Sequence, residues 1–230
     1  MTTLKTVLEK HKKDFSTILP TEIQHGKAYI MNLSTATSDF STIDFCDVEA
    51  LVNHTTMILQ KHNAAIGIGR YAEERFIYQN RELYCDHGQY TRTLHLGIDL
   101  SAPAGTPIFA PLDARVHSFQ NNADLGDYGP TIILEHELEG ITFFTLYGHL
   151  SLASLQNIQE KQVIKKGESF ATIGTPEING GWPPHLHFQI IDDMENNYGN
   201  FYGVVEPEKK EEYLSKCPDP ELILNIKVMV

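Results

Sequence analysis

The stretch WPPHLHFQII sets His185 and His187 two apart. In an extended strand alternate side chains share a face, so both imidazoles point the same way while Leu186 and Phe188 point to the other side. A lone buried histidine is usually satisfied core, but two on one face are expensive to bury without partners. A second stretch, LHLGIDL, spaces His95 and Asp99 four apart on one strand face, with Gly97 between them leaving room beside a bound ion. His95, Asp99 and a histidine of the HLH pair make a three-ligand set of nitrogen and oxygen donors. That composition suits a catalytic zinc with one coordination position left for water, whereas structural zinc sites are closed and usually cysteine-rich. A third stretch, TLYGHLS, predicts Thr145, Tyr147 and His149 alternating along one face at the end of an apolar strand. Each motif alone is common; their combination, in this order and each inside a predicted strand, points to a bound metal. There is no HExxH helix, so histidine must replace the glutamate base of that class.

These residues need strands to position them. The chain opens with Leu4, Val7, Leu8 and His11 at helical spacing, a short amphipathic helix ending before Pro20. A second helix is predicted over about residues 47–63, with Val48, Leu51, Val52, Thr55, Ile58 and Leu59 as its apolar stripe. From about Ala64 short β-rich runs follow, among them AIGIG, RFIYQ, LHLGIDL, ARVHSF, TIILEHE, ITFFTLYGHL and HLHFQII, punctuated by glycine and proline turns. Little helix separates them, which favours a mainly β fold of antiparallel sheets, sandwich- or barrel-like, with an N-terminal α-containing extension. The expected division is an extension over 1–85 packed on the core, a β domain over 86–195 carrying the motifs, and a closing segment over 196–230 with a short helix.

Thirty acidic against 18 basic residues give a formal charge of -12, which argues against nucleic acid or an anionic membrane or wall as partner. Cys46, Cys85 and Cys217 are odd in number and widely spaced, as reduced thiols are. The opening MTTLKTVLEKHKKDF lacks the apolar core of an export signal, and no stretch approaches the roughly 20 apolar residues of a membrane span, so the expected location is the cytoplasm.

The series HLGID, PAGTPIFAPLDARV, YGPTIILEH, TLYGHLS, VIKKGESFATIG and PPHLHFQ, over about Leu94 to Ile191, resembles the catalytic domain of the lysostaphin-like zinc endopeptidases that cleave peptidoglycan. The resemblance implies a largely antiparallel β fold with one Zn2+ in a groove. Carried over by motif, it makes His95, Asp99 and His187 the ligands, and His149 and His185 the two assisting histidines. A wider resemblance, through AIGIGRYAEERFIYQN, INGGWPPHLHFQ and LSKCPDPELIL, is to the middle region of bacterial fusions that join a kinase-like domain, this peptidase-like domain and an aminotransferase. It implies a cytoplasmic peptide or small amide substrate and association with kinase-like and aminotransferase proteins.

Candidate substrate contacts are Tyr90, Arg92, Tyr147 and Trp182. For Tyr90 an oxyanion donor competes with an ordinary surface tyrosine, and for Arg92, Arg70 and Arg75 an anion contact competes with a salt bridge. Trp182 reads equally as groove wall or core anchor. The remaining histidines, including His117 and His136, lack ligand spacing. NGGWPP replaces the family's usual small-residue approach to HxH with a bulky indole and two rigid prolines. Two rivals stand beside the cytoplasmic hydrolase: a non-catalytic metal-containing ligand-binding domain, and an exported peptidoglycan endopeptidase.

Overall fold

Thr3 accepts a hydrogen bond from the Thr6 amide and starts helix α1 (Leu4–Lys10), which buries Leu4, Val7 and Leu8. A computed structural model describes residues 3–34, 40, 42–44, 46–78, 83, 85–86, 89–90 and 92–226, the side chains of 85, 86, 89 and 90 excepted. Helix α2 (Thr21–Gln24) follows Pro20 and leads into strand β1 (Ala28–Met31). The Asp47 carboxylate caps helix α3 (Val48–Lys61), which buries Leu51, Thr55 and Ile58 along one stripe. The strands that follow are β2 (Ile66–Gly69), β3 (Cys85–Asp86), β4 (Gln89–Tyr90), β5 (Leu94–His95), β6 (Ile98–Ser101), β7 (Pro107–Phe109), β8 (Ala114–Asn122), β9 (Gly129–Leu138), β10 (Ile141–Gly148), β11 (Val163–Ile164), β12 (Ser169–Thr172), β13 (His185–Ile191) and β14 (Val204–Val205). Two short helices, α4 (Lys210–Lys216) and α5 (Glu221–Leu224), end the described chain.

The main sheet runs β1-β2-β6-β13-β10-β9-β8-β11, antiparallel except for the parallel β1/β2 pair. The extension is therefore hydrogen-bonded into the sheet through β2/β6. The fold is mainly β with N-terminal helices. One face of the sheet carries Leu100, Tyr147, Leu186 and Phe188, which are fully buried and join Leu8, Ile108 and Ile223 in one core. Each such side chain contributes roughly 1.5–3 kcal/mol. The other face carries Asp99, His185 and His187, between an apolar cluster that includes Met31, Leu51 and Trp182 and another that includes Leu96, Leu146 and Phe201.

Three expected elements differ. RFIYQ is not a strand: Phe76–Tyr78 is a 3-10 turn, which brings Arg75 and Tyr78 to one side with Arg75 Nη1 donating to the Tyr78 hydroxyl at 3.0 Å. Odd-numbered separation in a strand would have put them on opposite faces. LHLGIDL is two strands, because the chain leaves β5 for β6 at Leu96-Gly97. The closing segment holds two helices and β14, which pairs with β5.

Candidate active site

Strand register brings the motifs together. Asp99 on β6 lies opposite His187 on β13, and His187 lies opposite Gly148 at the end of β10. His95 reaches the same point from β5. Gly97 makes that possible, though not by leaving room for an ion: a Cβ there would stand 2.6 Å from His187 Cε1 and Nε2, so the gap holds the imidazole itself. His95 Nε2 and His187 Nδ1 are 3.0 Å apart, His187 Nδ1 is 3.1 Å from Asp99 Oδ1, and His95 Nε2 is 3.3 Å from the same oxygen.

Hydrogen bonds around this triangle decide which atoms carry protons. His95 Nδ1–H donates to the Arg70 carbonyl at 3.0 Å, so its Nε2 presents a lone pair. The Gln189 amide nitrogen donates to the Tyr202 carbonyl, which turns Gln189 Oε1 toward His187 Nε2 at 3.0 Å. His187 thus donates from Nε2 and presents the Nδ1 lone pair. Two lone pairs and a carboxylate oxygen then face one another in a buried space, an arrangement that could hold a cation. Tetrahedral coordination at about 2.0 Å sets ligand atoms roughly 3.3 Å apart, close to the edges of this triangle. His95, Asp99 and His187 therefore fit a single divalent ion.

The surroundings reinforce that reading. Arg75, 2 % exposed, donates through Nη1 to Asp99 Oδ2 at 2.5 Å and through Nε to Glu73 at 3.1 Å, leaving Asp99 Oδ1 for the triangle. Burial works against the ionised Asp99, but the Arg75 guanidinium beside it holds its carboxyl well below the usual range. Burial, reinforced by Arg75, pushes the His95 imidazole down to about 4, so it is neutral and ready to coordinate at ordinary pH. Gly69 lets the guanidinium lie against the sheet, since a Cβ there would stand 2.6 Å from Arg75 Nη2. The salt-bridge reading of Arg75 is the one observed. Arg70 likewise pairs with Glu73 at 2.7 Å.

His149 and His185 stand beside the triangle with ring centroids 4.2 Å apart. His149 Nδ1–H donates to the Asn179 carbonyl at 2.8 Å and His185 Nδ1–H to the Pro183 carbonyl at 2.7 Å, so both keep Nε2 as a base. Burial, then the neighbouring histidines His185 and His187, lower the His149 pKa well below its ordinary value; burial also lowers that of His185. Alternation along β10 misplaces one residue. Thr145 and Tyr147 lie opposite Ile190 and Phe188, on the core face, and alternation would send His149 there too. Instead His149 adopts φ +62, which turns its side chain to the site. A left-handed non-glycine residue costs roughly 1 kcal/mol. The backbone holds it there, with its N–H on the Tyr128 carbonyl at 2.7 Å and its carbonyl accepting from Gly174 at 2.9 Å.

Tyr147 is consequently corrected: it is fully buried among Phe170 and Phe188 and hydrogen-bonded to Thr145, away from the site. Arg92 and Trp182 line a cavity of about 390 Å³ that also contains His95, Asp99, His149, His185 and His187. Trp182 satisfies both of its readings, being buried in an apolar cluster and part of the cavity wall. The side chain of Tyr90 lies outside the described residues, as do that of Cys85 and all of His87. His136 is satisfied core, bonded to Thr145 and the Asp113 carbonyl. Sequence reasoning missed Tyr128, whose ring lies 5.0 Å from His187, and the positioning of Asn179 and Gln189. Gln189 was legible, since it follows His187 by two on the same strand face.

Residues 93–199 match the model of peptidase family M23. Over these residues, just under half of the chain, the protein is similar to that peptidase family. The chain is 37% identical over 96 residues to an uncharacterised metalloprotease of Haemophilus influenzae, covering 42% of this chain and 18% of that protein. It is 36% identical over 100 residues to the DD-carboxypeptidase/endopeptidase Mpg of Neisseria meningitidis, covering 44% and 20%. The chain thus spans about a fifth of the length of these relatives. Among solved structures, the catalytic domain of lysostaphin from Staphylococcus simulans aligns over 53% of this chain and 79% of its own, at 22% identity and a TM-score of 0.37. The M23 match supports a peptidase-type hydrolase.

Proposed function

We propose that the chain is a zinc-dependent peptide or amide hydrolase in which His95, Asp99 and His187 hold one Zn2+ and His149 and His185 move protons. The observation that carries this is the convergence of three unprotonated acceptors within 4.8 Å of one another in a buried site that opens to a cavity. Zinc bound there supplies an acidified water and a Lewis acid for the scissile carbonyl. His185, with Nε2 3.8 Å from Asp99 Oδ1, stands on the ligand side, and His149 faces it across 4.2 Å. Two imidazoles that close resist holding two protons, so one accepts the proton of the attacking water and returns it to the leaving amine while the other stays neutral and orients. Asn179 and Pro183 carbonyls keep both rings in the tautomer this requires.

The substrate in this reading is a cytoplasmic peptide or small amide. The charge of -12, unfavourable for an anionic wall, supports it, as does the resemblance to kinase and aminotransferase fusions, which also suggests work beside such enzymes. The names of the relatives, among them peptidoglycan DD-endopeptidase ShyA of Vibrio cholerae, favour a second reading, an exported endopeptidase acting on peptidoglycan. The test is elemental analysis for zinc, followed by hydrolysis of N-acyl amides, dipeptides and peptidoglycan by the native protein and by His149→Ala and His185→Ala. One zinc per chain and cleavage lost in both variants support the proposal. Metal without any cleavage returns the chain to a ligand-binding domain, and cleavage of wall alone selects the second reading.

A further inference from the structure

The cavity has two unlike ends. At one are the three candidate ligands with His149 and His185; beyond them the wall is apolar, formed by Met31, Leu33, Phe40, Leu51, Ile77 and Trp182. All of these except Trp182 precede residue 93 and so lie outside the M23 segment. They come from β1, the chain after it, helix α3 and the 3-10 turn, and they pack together as one buried cluster. The wall begins at the site itself. Tyr78, whose hydroxyl accepts from Arg75 beside Asp99, meets Trp182 edge-on at 6.1 Å, and Trp182 is three residues from His185. Among the described residues the charged side chains lining the cavity are Arg75, Arg92, Asp99 and Asp127, and Arg75 is consumed by Asp99 and Glu73. None of the four belongs to the apolar cluster.

We infer that this wall is a specificity chamber, and that the substrate is a small amide carrying an uncharged apolar group, of phenyl or short-alkyl size, on one side of the scissile bond. The inference rests on the hydrolase reading and narrows it. A cavity of about 390 Å³ is at the small end of the range for ligand sites, matching a molecule of dipeptide size. Polar stem peptides rich in charged and small residues would leave the apolar wall facing water. An alkyl or aryl group there removes that surface from water, at about fourfold in affinity per methylene buried.

Trp182 is the chain's only tryptophan and lines the cavity, so its fluorescence reports occupancy directly. Zinc-loaded protein is titrated with acetohydroxamate, butanohydroxamate, hexanohydroxamate, phenylacetohydroxamate and glycine hydroxamate. Metal-free protein is titrated with the matching plain amides, which need no metal. The expected result is affinity climbing about fourfold per methylene in both series, with glycine hydroxamate no tighter than acetohydroxamate. Leu51→Ser flattens the climb. Thr55→Val, a size-conserving change on the same helix that loses one bond to the Leu51 carbonyl, steepens it and covers the case in which Leu51→Ser fails to fold. Flat affinity in both series overturns the chamber, and if acetohydroxamate still binds, the metal site survives. A climb with plain amides but no acetohydroxamate binding to protein incubated with zinc keeps the chamber and overturns the metal reading.

Discussion

Residues 93–199 supply every candidate ligand and both assisting histidines, whereas residues 66–78 supply no ligand yet hold two of the three in place. The Ala72 amide donates to the His95 carbonyl, the His95 amide to Glu73, and His95 Nδ1–H to Arg70, so one short segment grips the residue through three hydrogen bonds of 3.0 Å. Arg75 then grips Asp99. The difference separates two kinds of information. The family motif specifies donor types that can bind an ion, while a segment outside it sets the orientation of His95 and Asp99 and the tautomer of His95.

That contrast can be broken from either side. The largest effect is expected within the M23 segment: His187→Ala or Asp99→Ala removes a ligand and leaves uncompensated buried groups, so zinc content in elemental analysis falls to background and hydrolysis with it. Next, His149→Ala or His185→Ala lowers kcat by about 10²–10⁴ while zinc content stays at that of the native protein. Loss of metal in these variants would show that the pair is structural. From the other side, Arg75→Met weakens zinc affinity by about 10–100-fold, read by competition with a chelator, and excess zinc restores hydrolysis. The same change removes one of the two arginine partners of Glu73, leaving Arg70, and lowers thermal stability, and Arg75→Lys does not restore the bridge between the Asp99 and Glu73 carboxylates. Gly69→Ala acts in the same direction by a smaller amount, because the clashing atom is a side-chain terminus able to shift. If neither substitution alters affinity, the extension is packing alone.

The smallest effect lies in the closing segment. Burial, reinforced by Asp219, pushes the Glu221 carboxyl up to about 7. Its folded-state pKa exceeds the unfolded value, so the native state prefers the protonated form, and this contribution is present below the unfolded pKa and lost as pH rises toward 7. Glu221→Gln flattens the decline of thermal stability between about pH 4.5 and 7 without touching zinc affinity.

Much of this was legible in the chain. The parity of HLH, the helix capped by Asp47 and the β-rich middle all depend on local chemistry and on periods of two or 3.6. Two failures have physical causes. Tyr147 and His149 share parity but not a face, because one residue at φ +62 resets the alternation and nothing in TLYGHLS announces it. His95 and Asp99 were assigned to one strand face, yet they meet from two strands after the chain turns at Leu96-Gly97.

The sequence by itself determined the donor set, two imidazoles and a carboxylate with two more imidazoles in reserve, because residue type fixes which atoms can coordinate or move protons. Only the tertiary structure decided which nitrogens face inward, that Arg75 takes one oxygen of Asp99, and that residues preceding the M23 segment wall the cavity. Those outcomes depend on hydrogen bonds and contacts between segments 24 to 151 positions apart, such as Arg75 with Asp99 and Met31 or Leu51 near Trp182, and no local pattern encodes a meeting at that range.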